Sequence, residues 1–156
     1  MIRIDIPGWG NIDIENMVLD LNGTIAKDGR IPSKVKEKIN SLSKMAKIYI
    51  LTADTQGTAN EETHDMNIEL VRITEEESNK GKFEFIRTLD LERTVAMGNG
   101  NNDQMILKEA GLGIAVIGDE GISIAAMKNA DIAVKDILDG LDLFLKPKRL
   151  IATLKE

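Results

Sequence analysis

The chain has 156 residues, a formal net charge of −6, 42% hydrophobic and 3% aromatic residues, and no cysteine. That length suits one domain, residues 1–156, with an aliphatic buried core; the acidic balance argues against a nucleic-acid partner and suits a divalent cation, and the lack of cysteine excludes disulfides and thiolate nucleophiles. No apolar run approaches the roughly 18 residues a membrane span requires, and the N-terminal MIRIDIPG alternates polar and apolar residues unlike a signal peptide, so a cytoplasmic protein without membrane contact is expected.

Ile2, Ile4 and Ile6 alternate with Arg3 and Asp5, and after PGWGN the alternation resumes at Ile12 and Ile14, which reads as a β-hairpin. Residues 17–20 form the next strand, which delivers Asp20 at its end with Asn22-Gly23-Thr24 behind it. Asp28-Gly29 marks a tight turn. After Pro32-Ser33, Val35, Ile39, Leu42 and Met45 step at three or four, the pattern of an amphipathic helix. KIYILTADT (47–55) is a buried strand that ends in polar residues, and MNIELVRI (66–73) is another. The lone His64 lies in the polar stretch NEETHDMN and reads as a surface residue.

Residues 75–89 are helical in character, and RTVAMGNGNND (93–103) is a strand followed by a Gly-rich loop. A helix over 102–110, a strand over LGIAVIG (112–118), a helix over 120–129, a strand over ADIAV (130–134) and two further helical stretches complete the chain. Short continuous apolar strands between amphipathic helices imply a mainly parallel sheet covered on both faces, an α/β fold of three layers. In such sheets ligands bind beyond the carboxyl ends of the strands. Asp20 and Asn22, Thr52 and Asp54, and Asn99, Asn102 and Asp103 all fall at such ends. An acid at the tip of a buried strand, with a Gly turn behind it, is a usual way to present a phosphoryl-accepting carboxylate.

These residues resemble the haloacid dehalogenase (HAD) superfamily of phosphohydrolases. Asp20-Leu21-Asn22-Gly23-Thr24 looks like its first motif, Thr52 in ILTADT its second, Lys82 its third, and GNGNND (98–103) its acidic fourth. VAMGNGNNDQMIL and GIAVIGDEGISIAAMKNADIAV are similar to the phosphorylation core of P-type ATPases and the segment that follows it. The resemblance implies a three-layer α/β/α, Rossmann-like HAD fold, in the capless, soluble P-type-ATPase-like branch. The intervals from Asp20 to Thr52 and from Thr52 to Lys82 leave no room for a nucleotide-binding domain or a large cap, so an open site with Asp20 accessible to solvent is expected. A second subunit of a homo-oligomer is one way to cover it.

The resemblance also implies roles. Asp20 is the nucleophile that forms an aspartyl phosphate. Mg²⁺ is held by Asp20, Asn22 and Asn99, with Asp103 beside it, orienting Lys82 or a metal-bound water. Thr52 donates to a phosphoryl oxygen, Lys82 supplies positive charge, and the backbone around Leu21, Gly23 and Thr24, with Ala53 of the second motif, cradles the phosphate. Lys80 is the rival of Lys82; Ile86 and Leu89, four and seven residues beyond Lys82, favour the latter. Asp54 either contacts a substrate or caps the helix expected to begin near Thr55.

Two positions depart from the family pattern. Asn22 stands where a second acid serves as general acid and base, and Asn99 stands where an acid binds the metal. The expectation is a slow Mg²⁺-dependent phosphohydrolase acting on a small phosphorylated substrate or a phosphoprotein, and favouring activated phosphates. The alternative is a catalytically impaired phosphate-binding or regulatory protein.

Overall fold

The computed structural model describes residues 1–54 and 57–156. Strands β1 (Ile2–Ile6) and β2 (Gly10–Ile14) pair antiparallel as the expected hairpin, with Ile4 opposite Ile12. Then follow β3 (Asn16–Asp20), α1 (Ser33–Leu42), β4 (Lys47–Thr52), α2 (Thr58–Thr63), β5 (Glu69–Arg72) and α3 (Ser78–Ile86). The second half contains β6 (Thr94–Gly98), α4 (Gln104–Glu109), β7 (Leu112–Val116), α5 (Ile124–Asn129), β8 (Ile132–Val134), α6 (Ile137–Leu145) and α7 (Pro147–Leu154).

The six strands β3 to β8 form one all-parallel sheet in the order β5-β4-β3-β6-β7-β8. Alternation along each strand divides the core. Met17 and Leu19 of β3, Ile48 and Ile50 of β4, and Ile114 of β7 face the hairpin, α1, α6 and α7. Val18, Tyr49, Leu51 and Ala96 face the other way, onto Ile86 of α3 and Ile106 and Leu107 of α4. Each such large aliphatic side chain contributes about 1.5–3 kcal/mol by leaving water. The layers are therefore helix, sheet, helix, as the sequence pattern implies.

Strand order reverses direction between β3 and β6, which makes their carboxyl edge the switch point where a crevice opens. Asp20 ends β3, and Asn99 follows directly on β6.

The boundaries differ locally from the sequence reading. The helix expected over 120–129 starts at Ile124, because residues 118–121 close a tight turn (Gly121 N–H to Gly118 C=O, 2.9 Å) and Ser123 caps the helix behind it. The helix expected over 102–110 begins as a 3₁₀ turn, Asn101–Asp103. The helix expected over 75–89 starts only at Ser78, since Glu77 takes a left-handed φ of 58°. Thr55, near which a helix was expected to begin, lies outside the described residues.

Candidate active site

Three loops converge at the switch point. The first follows β3. Leu21 N–H donates to Leu51 C=O on the neighbouring strand (3.1 Å), and both Ile25 and Ala26 N–H return to Leu21 C=O, so the chain folds into a compact turn. Gly23 takes φ +79°, a conformation side chains rarely adopt. Inside this turn Thr24 is buried, and its hydroxyl lies 3.1 Å from Asp20 Oδ2 and 3.2 Å from Asn99 Oδ1.

The second loop follows β6. Asp103 is wholly buried and folds back beneath it. Its Oδ2 accepts from both Asn99 N–H and Gly100 N–H, each at 3.0 Å. Gly98 permits that approach, since a Cβ there would sit 2.5 Å from Asp103 Oδ2. The third loop follows β4, where Thr52 is buried and its hydroxyl oxygen accepts from Asp54 N–H (3.0 Å), leaving its own proton available to donate. Asp54 Oδ2 in turn accepts from Ala59 N–H (2.8 Å), so the capping role of Asp54 is present at the first turn of α2.

Lys82 ties the first two of these loops together. It reaches in from α3 with only 3% of its surface exposed. Its ammonium lies 2.8 Å from Asp20 Oδ1, 2.7 Å from Asp103 Oδ1 and 3.2 Å from Asn102 Oδ1. Lys80 is exposed and faces Glu77 at 4.0 Å, away from the site. The buried position is therefore held by Lys82, on the inward face of α3 with Ile86.

One cation serves two buried carboxylates here, and the electrostatics follow. Burial, then repulsion by Asp103, push the Asp20 carboxyl from 3.8 up to about 7, against the pull of Lys82 and the Thr24 hydroxyl. Burial alone would lower Lys82, but Asp20 and Asp103 outweigh it and hold the ammonium above its ordinary value.

Two expectations need correction. Asp20 is not openly accessible. Its relative exposure is 7%, because Lys82, Thr24 and the flanking loops close around the carboxylate, while Asn22, Asn101 and Glu120 form an exposed rim. The backbone cradle is also smaller than expected. The N–H groups of Leu21 and Gly23 are spent on Leu51 C=O and Ala26 C=O (both 3.1 Å), because the turn itself needs those bonds.

Asn22, Ala53 and Asp54 line a shallow cleft of about 380 Å³ together with Leu21, Thr58 and Glu75. A wider hollow, about 1040 Å³, lies elsewhere, between α1 and α6, where Lys38 and Arg149 already pair with Asp142. His64 is exposed, as its sequence setting suggests.

Among the described residues, no three Asp, Glu, His or Cys side chains converge on a metal position. The oxygen atoms at the switch point are of mixed type. Thr24 has one hydroxyl proton for two acceptors, Asp20 Oδ2 and Asn99 Oδ1, so one of these oxygens is always short of a donor. A carboxylate, an amide oxygen and a backbone carbonyl make a hard donor set of the kind Mg²⁺ takes, which usually retains several waters. The residues present fit such an ion, with less negative charge than two further acids would provide.

No family model matches the chain. An uncharacterized protein from Methanocaldococcus jannaschii is 53% identical over 64 residues, 41% of this chain and 69% of that protein; the two belong to one family. A soluble P-type ATPase-like phosphatase from the same organism is 27% identical over 143 residues, which span 89% of this chain but only 52% of that protein. Among solved structures, 3-deoxy-D-manno-octulosonate 8-phosphate phosphatase from Moraxella catarrhalis, in complex with magnesium, phosphate and the sugar acid, superposes with a TM-score of 0.72 at 14% identity, covering 91% of this chain and 94% of that one. The cobalt-bound form of the corresponding phosphatase from Haemophilus influenzae matches with a TM-score of 0.72 and 14% identity, covering 92% and 94%. The chain has the fold of the HAD-superfamily phosphatases. No helix among the described residues is long and apolar enough to cross a membrane.

Proposed function

We propose that this HAD-fold chain is a phosphohydrolase in which Asp20 is phosphorylated and then released by water, with activated small-molecule phosphates as its preferred substrates. The observation that carries the reading is the buried Lys82, bonded at once to Asp20 (2.8 Å) and Asp103 (2.7 Å) at the switch point of the sheet. A buried ammonium with two carboxylates is costly unless geometry and function require it. The names of the similar phosphatases support the same reading.

In the proposed reaction, an Asp20 carboxylate oxygen forms a bond to phosphorus while the substrate's leaving oxygen departs with the bonding electrons. Water then attacks phosphorus, the aspartyl O–P bond breaks, and inorganic phosphate leaves. Lys82 fixes the Asp20 carboxylate and places positive charge beside the transferring group. Thr52 donates its free hydroxyl proton to a phosphoryl oxygen, and the N–H groups of Asn22, Thr24 and Ala53 serve as backbone donors. Asp103 acts as a positioning residue, because both its oxygens are occupied by Lys82 and the Asn99–Gly100 backbone. Mg²⁺, held by Asp20, Asn99 and the Asn22 carbonyl, would neutralise repulsion between the carboxylate and the incoming phosphate.

Asn22 cannot protonate a leaving group or deprotonate water. General acid–base help is worth about 10²–10⁴-fold, so the enzyme is restricted to leaving groups that depart unaided: acyl, anhydride and aryl phosphates. A cytoplasmic, small-molecule phosphatase without a nucleic-acid partner completes the proposal, with a neighbouring subunit as the means of closing the shallow cleft. Steady-state assays with acetyl phosphate and para-nitrophenyl phosphate in the presence of Mg²⁺ test it. Turnover that vanishes in Asp20→Asn supports the reading. Phosphate binding without turnover of either compound would favour the regulatory alternative, which Asn22 and Asn99 suggest.

A further inference from the structure

The turn after β7 is docked onto the phosphate-side loop. Gly118 comes so close that a Cβ there would lie 3.2 Å from Gly23 C=O. Asp119 pairs with Lys27 of the first loop at 2.5 Å. Such an exposed pair is worth little in energy. On the other side, Ser123 N–H donates to Asn99 C=O at 2.8 Å, and Ser123 Oγ bonds Asn101 Oδ1. The turn is thereby held between the two loops that bear Asn22 and Asn99.

Glu120 projects from this turn. Its Oε2 lies against Gly23, where a Cβ would clash with it, and Asn99 Nδ2 would lie 2.7 Å from that same Cβ. A carboxylate and the Asn99 amide thus meet over Gly23, within a few ångström of each other. Among the described residues Glu120 has no ion-pair partner, whereas its neighbour Asp119 is paired. Glu120 therefore places an unneutralised carboxylate beside the residue where the family pattern has an acid and this chain has an amide.

We propose that Glu120 supplies the second carboxylate of the cation site, replacing from the β7 turn the charge that Asn22 and Asn99 lack. The inference rests on the phosphohydrolase reading above. Without Glu120, the carboxylates Asp20 and Asp103 share one Lys82, leaving a single net negative charge for a divalent ion. With it, that charge doubles, and opposite charge at short range strengthens cation binding. Gly23 is then required twice: for its left-handed backbone, and because any side chain would displace the Glu120 carboxylate.

The test is Mn²⁺ binding to the intact chain, read by electron paramagnetic resonance of the free ion, with no substrate present. Glu120 is exposed, so Glu120→Gln leaves the core untouched. The expected result is a Kd about 10-fold or more higher for Glu120→Gln, the scale on which partners of a metal site act. Restoring an acid with Asn99→Asp in the Glu120→Gln background should recover tight binding. If Asn99→Ala weakens Mn²⁺ while Glu120→Gln does not, the Glu120 inference is overturned and the site assignment stands. If neither change alters Mn²⁺ binding, the cation does not bind at this switch point, and both readings fall.

Discussion

Asp20 burdens the stability of the free protein, and the size of that burden can be worked out. Burial and Asp103 raise its carboxyl from 3.8 to about 7 in the folded chain. A group whose folded pKa exceeds its unfolded value favours the fold while protonated, and that advantage is lost as pH rises from the unfolded to the folded value. Between pH 4 and pH 7, stability should therefore decline on account of Asp20. A rise from 3.8 to about 7, at about 1.4 kcal/mol for each tenfold change in proton affinity, sets an upper bound of about 4 kcal/mol. Asp20→Asn is close in shape to the protonated acid and leaves Lys82 to neutralise Asp103 alone. Its stability relative to wild type should be unchanged near pH 4, rise as pH increases, and level off above pH 7 at a gain of up to about 4 kcal/mol. Urea unfolding of both proteins in a chelator, at half-unit pH steps, measures this directly. If Asp20→Asn is the less stable protein at pH 8, the Lys82 bond outweighs burial and the electrostatic reasoning is wrong.

Other outcomes follow from the same geometry. Lys82→Met should abolish turnover and cost about 3–5 kcal/mol, because two buried carboxylates lose the cation they share; unfolding midpoints within error of wild type would refute that. Asn22→Asp should raise kcat/KM on alkyl phosphates by about 10²-fold or more and kcat/KM on acetyl phosphate far less, as a leaving-group series would show. Burial works against the charged form of Asp142, but Lys38 at 2.6 Å, with Lys146 and Arg149, holds its carboxyl below the ordinary value. Its contribution should persist above about pH 4 and be lost as pH falls further, and Asp142→Asn should remove that part of the acid limb of the unfolding profile.

Much of this was legible in the chain. The order of strands and helices follows from aliphatic periodicity, and the polar strand ends mark where a parallel sheet gathers its chemistry. Lys82 was separable from Lys80 by the resemblance to P-type ATPases, in which apolar residues like Ile86 and Leu89 follow four and seven places on, and the structure has it on the inward face of α3 with Ile86. Other features depend on contacts that no local pattern encodes. Asp20 is buried because Lys82 arrives from 62 residues away. The N–H groups of Leu21 and Gly23 are consumed by carbonyls within a turn whose closure the sequence does not display. Glu120 opens the stretch 120–129, which reads as a helix; its position against Gly23 and Asn99 depends on the turn at 118–121 and on how β7 lies beside β6 in the sheet.

The central claim is covalent phosphorylation of Asp20. Acetyl phosphate and Mg²⁺, followed by acid quench, borohydride reduction and peptide mass spectrometry, test it most directly. The account predicts that the carboxylate of residue 20 is the trapped site, with the signal absent in Asp20→Asn and strengthened by slow hydrolysis in the presence of Asn22. Phosphate turnover without any trapped adduct, or an adduct on another residue, would contradict it.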